Sequence, residues 1–282
     1  MSMIVNTNVM SLIAQTNLNN TTSKLNNAIT QLSTGLRINS AMDDPAGLAI
    51  GTAMQSQVNG MNQGIINANQ AVSMAQVADG AMGSISNMLQ QMRTLAVESA
   101  NGTNNASAQA NLDAEYQQLA AQISNTLGNT QFNGTQVFSQ SSSVTYQVGA
   151  NTIDQVVVAQ GSAGSTLASD TTLQTGTGNL GDITSSVNAT TAIAAVDKAL
   201  GTLNSARAQN GAYEIQFQQI VSSQQINSQN TAAAESQIMD TNYAQATSAL
   251  TQAQIVQQAG TAMLTQANNI PQSVLSLLSK LP

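Results

Sequence analysis

The sequence predicts a mainly α protein, an elongated antiparallel bundle of long helices with a terminal coiled coil and a small β-hairpin region near the middle of the chain. Three observations predict it. Apolar residues recur at three- and four-residue spacing through both ends of the chain, the period of an amphipathic helix. Strand-like alternation begins only at Val144, between the two helical parts. Charge is scarce: 7% of the 282 residues are charged, against roughly 25% in an ordinary soluble domain.

The first helix is read from Val9, Leu12, Ile13, Leu25, Ala28, Ile29 and Leu32. Asn6, Thr7 and Asn8 offer N-caps and Gly35 a C-terminal stop. The pattern breaks over 34–39 and restarts at Asp43-Asp44-Pro45, a carboxylate cap followed by proline in the first turn. A long helix then follows Met61, Ile65, Ala68, Val72, Ala75, Ala78, Met82, Ile85, Leu89, Met92 and Ala96 toward Asn101-Gly102. Gly60, Gly64, Gly80 and Gly83 each cost it roughly 1 kcal/mol relative to alanine, so this helix depends on neighbours. A third helix spans Ala106 to Leu127 and is expected to stop at Gly128.

From residue 130 the texture changes. Val144, Tyr146 and Val148 alternate with polar residues, Gly149-Ala150-Asn151 turns the chain, and Ile153, Val156 and Val158 continue an apolar strand. Residues 160–190 are rich in Gly, Ser and Thr without a period, and read as a surface excursion. Helix returns at Thr191 with Ala195, Ala199, Leu203 and Ala206, then Ile215, Ile220 and Ile226 toward Ala234. The last segment has the cleanest period: Ala246, Ala249, Ala253, Val256, Gly260, Met263, Ala267, Ile270, Val274 and Leu277 follow an a/d heptad. Its flanks are Gln, Asn, Ser and Thr, and Pro271 is expected to kink it or be accommodated locally. With both ends apolar and helical, the simplest arrangement runs them side by side with the middle at the far tip. A 35-residue helix is about 50 Å long, hence the elongated expectation.

Composition excludes several functions. With no Cys and no His, there are no disulfides, thiolate nucleophiles, His-based zinc sites or imidazole chemistry, so no enzyme, metal or cofactor is expected. The six basic residues, Lys24, Arg37, Arg93, Lys198, Arg207 and Lys280, are scattered through a chain of net charge -7. Nucleic acid and anionic membranes both need clustered cations and are not expected partners. The opening MSMIVNTNVMSLIAQTNL lacks a basic n-region and an unbroken apolar core, so it does not read as an ordinary signal peptide. No stretch approaches the ~18 apolar residues of a membrane span. A surface of neutral amides and hydroxyls repels its own copies weakly, which permits close packing of many subunits.

Two features invite a chemical reading and have a plainer one. Asp43-Asp44 could be paired carboxylates, but nothing accompanies them as a second acid, base or phosphate loop, and a helix cap explains them. Met54, Met61, Met74, Met82, Met88 and Met92 could be a ligand surface, but their helical spacing reads as adaptable packing.

Two blocks carry a family resemblance. Residues 32–50, LSTGLRINSAMDDPAGLAI, closely resemble the bacterial flagellin signature L-S-[ST]-G-L-R-I-N-S-A-x-D-D-x-A-G, and AQIVQQAGTAMLTQANNIPQSVLSLL at 253–278 resembles the flagellin C-terminal end. IVNTN at 4–8, TQFNG at 130–134 and QVGAN at 147–151 match further positions of the family. The resemblance covers about 1–155 and 190–282.

The resemblance implies a structural subunit, secreted and extracellular, that polymerises into the flagellar filament for motility, with a hook–filament junction protein as the alternative. A secreted adhesin or carbohydrate-binding module would need aromatic platforms or a distinct β domain. It implies 1–42 with 241–282 as a coiled-coil inner domain, 43–155 with 190–240 as a surrounding helical domain with a β-hairpin, and 156–189 as a short solvent-facing insert. Subunit packing then falls on Val9, Leu12, Ile13, Leu25, Ile29, Leu32, Ala253, Val256, Met263, Ile270, Val274 and Leu277. Helices with exposed apolar faces are expected to be disordered in the monomer and to fold on assembly. Implied partners are further identical or related subunits, the flagellar export machinery, a chaperone and the cap protein. An innate immune receptor for flagellin is a further implied partner, through Arg93, Leu95 and Glu115, which match its pattern Q-R-x-R-E-L and the next helix. Gln91 and Thr94 replace two charged positions of that pattern, which should weaken recognition. A zinc-protease insert of the H-E-x-x-H type, found in some flagellins, has no His to form it. Ser279 to Pro282 depart from members that stop in a single Arg, and Gln237 stands where a basic residue often precedes Ile238-Met239-Asp240. Ser and Thr of 139–191 are candidate O-glycosylation sites by the same resemblance.

Overall fold

Asn8 opens the first helix, its Oδ1 accepting from the Ser11 N–H at 3.1 Å, in a computed structural model that describes residues 7–138, 143–158 and 180–278. Helix α1 covers Val9–Thr34 and ends on Gly35 in the left-handed region (φ 74°), whose N–H donates to Gln31 O at 2.9 Å. Helix α2 covers Pro45–Ser99. Asp44 Oδ1 accepts from the Gly47 N–H at 2.9 Å, so the carboxylate is a helix cap with proline behind it. Helix α3, Ala106–Asn129, is capped by Asn105, which accepts from Ala108 N–H at 2.8 Å. It runs through Gly128, the expected stop, because the chain leaves at Thr130 into a strand and needs no left-handed residue.

Strands β1 (Gln131–Phe132) and β2 (Thr135–Gln136) form a short hairpin not anticipated from the sequence. Its loop is Asn133-Gly134 at φ 50° and 77°, the type I′ turn that matches strand twist. Strands β3 (Val144–Gln147) and β4 (Gln155–Val158) pair antiparallel, Tyr146 opposite Val156. Helix α4 covers Ser186–Met239 and begins ahead of the expected Thr191, since Ser185 Oγ accepts from Asn188 N–H at 3.2 Å and caps it. Most of the excursion expected over 160–190 lies outside the described residues, and its last residues are helix. Helix α5, Tyr243–Leu278, passes through Pro271.

The chain divides into two units, Ser56–Gln229 and Met1–Gln55 with Asn230–Pro282. In the first, Met82, Ile85, Leu89 and Met92 of α2, Tyr116 and Ile123 of α3, and Val196, Ala199 and Leu203 of α4 are fully buried together. The Met residues at helical spacing are thus packing residues. Beside this core, Val148, Val156 and Val158 pack on Ala68, Ala71 and Phe217, with Tyr146 and Phe217 edge to face at 5.3 Å. Gly64 explains how the hairpin reaches α2: a Cβ there would collide with Val148 O. Asn67 Nδ2 then donates to Gln147 O at 2.9 Å. The segment entering α4 is held by side chains of α2 and α3. Tyr116 donates to Leu180 O at 2.7 Å, the Ile183 N–H donates to Asp113 Oδ1 at 2.9 Å, and Ser99 Oγ donates to Ile183 O.

Candidate functional site

In the second unit α1 packs along α5. The pairing is antiparallel: Asn8 Nδ2 donates to Ala267 O at 2.8 Å, and a Cβ on Gly260 would stand 3.4 Å from Leu18 Cδ1. At the other end Leu36 bridges Asp240, with Arg37 N–H on Met239 O at 2.7 Å and Thr241 N–H on Gly35 O at 2.9 Å. The connection from α1 to α2 is thereby stitched to the one from α4 to α5.

The fully buried positions of the seam are small residues, with leucines among the half-buried ones. On α1, Thr21 and Ala28 are buried and Ser11, Ala14, Leu18, Leu25 and Leu32 half-buried, in alternating steps of three and four. On α5, Ala246, Ala253 and Ala267 are buried and Leu250, Gln257, Gly260 and Leu264 half-buried. This is a heptad, but its second row is 250, 257 and 264 rather than 249, 256 and 263. Successive helical residues are about 100° apart, so Val256, Met263 and Ile270 fall on an adjoining face. They stay 45–62% exposed, as do Val9, Leu12, Ile13 and Ile29. Of the residues expected to pack subunits, Leu25, Leu32 and Ala253 therefore lie in the seam within the chain. Seven others are on its open faces, and the side chains of Val274 and Leu277 lie outside the described residues.

Those open faces carry almost no charge. Helix α5 has no Asp, Glu, Lys or Arg, and α1 has only Lys24. Threonine hydroxyls there are already occupied: Thr16, Thr22, Thr30 and Thr34 on α1, and Thr247, Thr251 and Thr265 on α5, each donate to the carbonyl four residues earlier at 2.8–3.0 Å. Burying an unpaired hydroxyl costs roughly 1–3 kcal/mol in proteins, and these pairings remove most of that penalty. What the two helices present is thus a nearly uncharged surface of apolar side chains among neutral amides, with its threonine hydroxyls already paired.

Behind the pair, Asp43 caps the turn before α2. Its Oδ2 accepts from Ser40 N–H at 2.9 Å, Asn39 N–H at 3.1 Å and Ser40 Oγ at 3.1 Å. These bonds, the Ser40 N–H foremost, hold the carboxyl below its ordinary 3.8. The block resembling a family signature is therefore a corner that joins two helices.

The remaining sequence-predicted residues lie in the other unit. Arg93 Nε donates to Asp197 Oδ1 at 2.7 Å, with side chains 47% and 48% exposed. The hydrogen bond raises the guanidinium's pKa and lowers the carboxyl's. Leu95 is half-buried against the core and Glu115 is exposed on α3. A second bidentate pair, Arg207 with Asp79 at 2.9 and 3.2 Å, also ties α4 to α2. Sequence reading missed both pairings, since partners more than a hundred residues apart leave no local pattern. Among the described residues no group of three acidic side chains is placed to hold a metal, and no helix is long and apolar enough to cross a membrane.

Comparison with known proteins places both parts of the chain. Residues 5–143 match the bacterial flagellin N-terminal helical region, and residues 193–278 match the bacterial flagellin C-terminal helical region. A flagellin of Halalkalibacterium halodurans is 36% identical, over 98% of this chain and 100% of that protein. The flagellar filament 33 kDa core protein of Treponema phagedenis is 35% identical, over 98% of this chain and 100% of that one. A putative flagellar hook-associated protein of Vibrio parahaemolyticus superimposes with a TM-score of 0.55, covering 70% of this chain and 100% of its own. At 12% identity that likeness is one of fold alone.

Proposed function

The chain belongs to the bacterial flagellin family and is a subunit of the flagellar filament; from that premise we propose that its polymerisation is driven by the open faces of α1 and α5. Residues 1–42 and 241–282 form the inner tube, 43–155 with 190–240 the layer around it, and 156–189 the solvent-facing part. The observation that carries this reading is the division of labour in the terminal helices. Small residues and leucines close the seam inside the chain, and Val9, Leu12, Ile13, Ile29, Val256, Met263 and Ile270 are left for neighbouring copies. An exposed apolar surface of this kind is a liability on a monomer and the driving force of association in a polymer. The work is structural, and no catalytic step enters it.

The subunit reaches the tip through the flagellar export channel, held by a chaperone and inserted beneath the cap protein, by analogy with the family. Arg93, Leu95 and Glu115 offer a weak site to the innate immune flagellin receptor. Arg93 would first have to leave Asp197. A reporter-cell titration with monomer reads that contact.

Seeding purified protein and following it by electron microscopy tests the main reading. Long tubes of uniform diameter are expected, with a gain of helicity in circular dichroism as the ends fold. Deleting 1–42 or 241–282 is expected to leave a folded core that does not assemble. Absence of tubes from the intact chain contradicts the reading.

A further inference from the structure

The methionines differ in access to solvent, and Met42, 93% exposed in the corner before α2, lies outside both terminal helices. Met61, Met82 and Met92 are at most 5% exposed within the helical core, where packing denies access to the sulfur. Met10 and Met263 are 54% and 62% exposed. Both stand in the stretch of the terminal pair bounded by the Asn8–Ala267 hydrogen bond and the Leu18–Gly260 contact. Met10 is a sequence neighbour of Val9, Leu12 and Ile13 on α1, and Met263 shares α5 with Val256 and Ile270, all of them exposed.

We propose that Met10 and Met263 form a sulfur-oxidation site that controls whether the subunit can be added to a filament. The inference rests on the reading that neighbouring copies cover the open faces of α1 and α5. In the free subunit a peroxide-class oxidant reaches either thioether. The sulfur lone pair attacks one peroxide oxygen, the S–O bond forms as the O–O bond breaks, and the departing hydroxide takes the proton of the hydroxyl now on sulfur, leaving sulfoxide and water. Sulfur is oxidised by two electrons and the peroxide is reduced by two. The product sulfoxide is a strong acceptor on a side chain that was apolar and flexible. Buried between subunits, its S–O dipole must give up water. With the Thr hydroxyls committed to their own carbonyls and no cation on α5, it has only the flexible Asn and Gln amides and Lys24 to turn to, in a contact shaped for an apolar side chain. Oxidation therefore opposes addition, whereas a subunit already in place shields the same two sulfurs.

The experiment uses the full chain, hydrogen peroxide as the probe, and peptide mass mapping of sulfoxide together with seeded elongation. In monomer, Met10 and Met263 are expected to oxidise at least about tenfold faster than Met61, Met82 and Met92, and in filaments to slow by about tenfold. Peroxide-treated monomer is expected to elongate seeds about tenfold more slowly than untreated monomer, and the double variant Met10→Leu/Met263→Leu, whatever its own untreated rate, to show no such ratio between untreated and treated protein. Elongation by oxidised wild type at the untreated rate overturns the proposal, as does equal loss in the double variant. Equal oxidation of both sulfurs in monomer and filament also overturns it. Failure of untreated protein to elongate seeds overturns instead the assembly reading beneath it, so the two failures are told apart.

Discussion

Gly260 faces Leu18 across the seam of the terminal helices so closely that a Cβ on it would lie 3.4 Å from Leu18 Cδ1. That distance is ordinary van der Waals contact, so a methyl group fits and a larger group does not. Gly260→Ala is predicted to stabilise α5 by roughly 0.5–1 kcal/mol through helix propensity alone. Gly260→Leu is predicted to push the helices apart and weaken the filament. Thermal depolymerisation of filaments made from each variant checks both signs.

Tyr116 holds the entry to α4 through Leu180 O at 2.7 Å, and both residues are buried. Tyr116→Phe keeps the ring and leaves a buried carbonyl without its donor. A loss of about 1–3 kcal/mol in denaturant unfolding of the full chain is expected. A change below half a kilocalorie would mean that this carbonyl finds another donor.

The Arg93–Asp197 pair is half exposed, and exposed pairs contribute about 0.2–1 kcal/mol, less at high salt. Arg93→Ala is therefore predicted to cost less than about 1 kcal/mol, with the cost shrinking as salt rises. A double-mutant cycle with Asp197→Ala isolates the pair's share. The residue matters more for any contact made with the guanidinium than for stability.

Asp43 gives a pH dependence with a defined sign. Its folded carboxyl is held below the ordinary 3.8, chiefly by the Ser40 N–H and then by the Asn39 N–H. A depressed acid contributes stability that is present above the unfolded pKa and lost as pH falls through the folded one. The stability difference between wild type and Asp43→Ala is thus predicted to be constant near neutrality and to shrink as pH drops below about 4. A difference that grows on acidification contradicts the assignment. Equilibrium unfolding measured across that range supplies the comparison.

Much of this architecture is legible in the residues. Asn8 and Gly35 mark the ends of α1, Asp44-Pro45 the start of α2, and Asn105 the start of α3, because caps act within a single turn. The Asn133-Gly134 hairpin carried a strong turn signal, but its strands of two residues are too short to show alternation. The cap of α4 is concealed because Ser185 sits in a tract where almost every residue is a possible cap. The seam illustrates a deeper limit. Around the row Ala246, Ala253, Gly260 and Ala267, both Leu250 with Leu264 and Val256 with Met263 continue a three-four pattern. Periodicity identifies an apolar helix with more than one sticky face, and only the register against α1 selects the face that closes within the chain. The leftover face is the one proposed to meet neighbouring subunits.

The central claim is that the face left open by that register is the one neighbouring subunits cover. Its most direct test is seeded elongation of a Leu12→Glu/Val256→Glu variant, which puts charge on the open faces, with residues 62% and 46% exposed, and leaves the seam untouched. The account predicts an unfolding transition of the helical core equal to that of wild type and no growth from seeds. Growth of uniform tubes at the wild-type rate would contradict it.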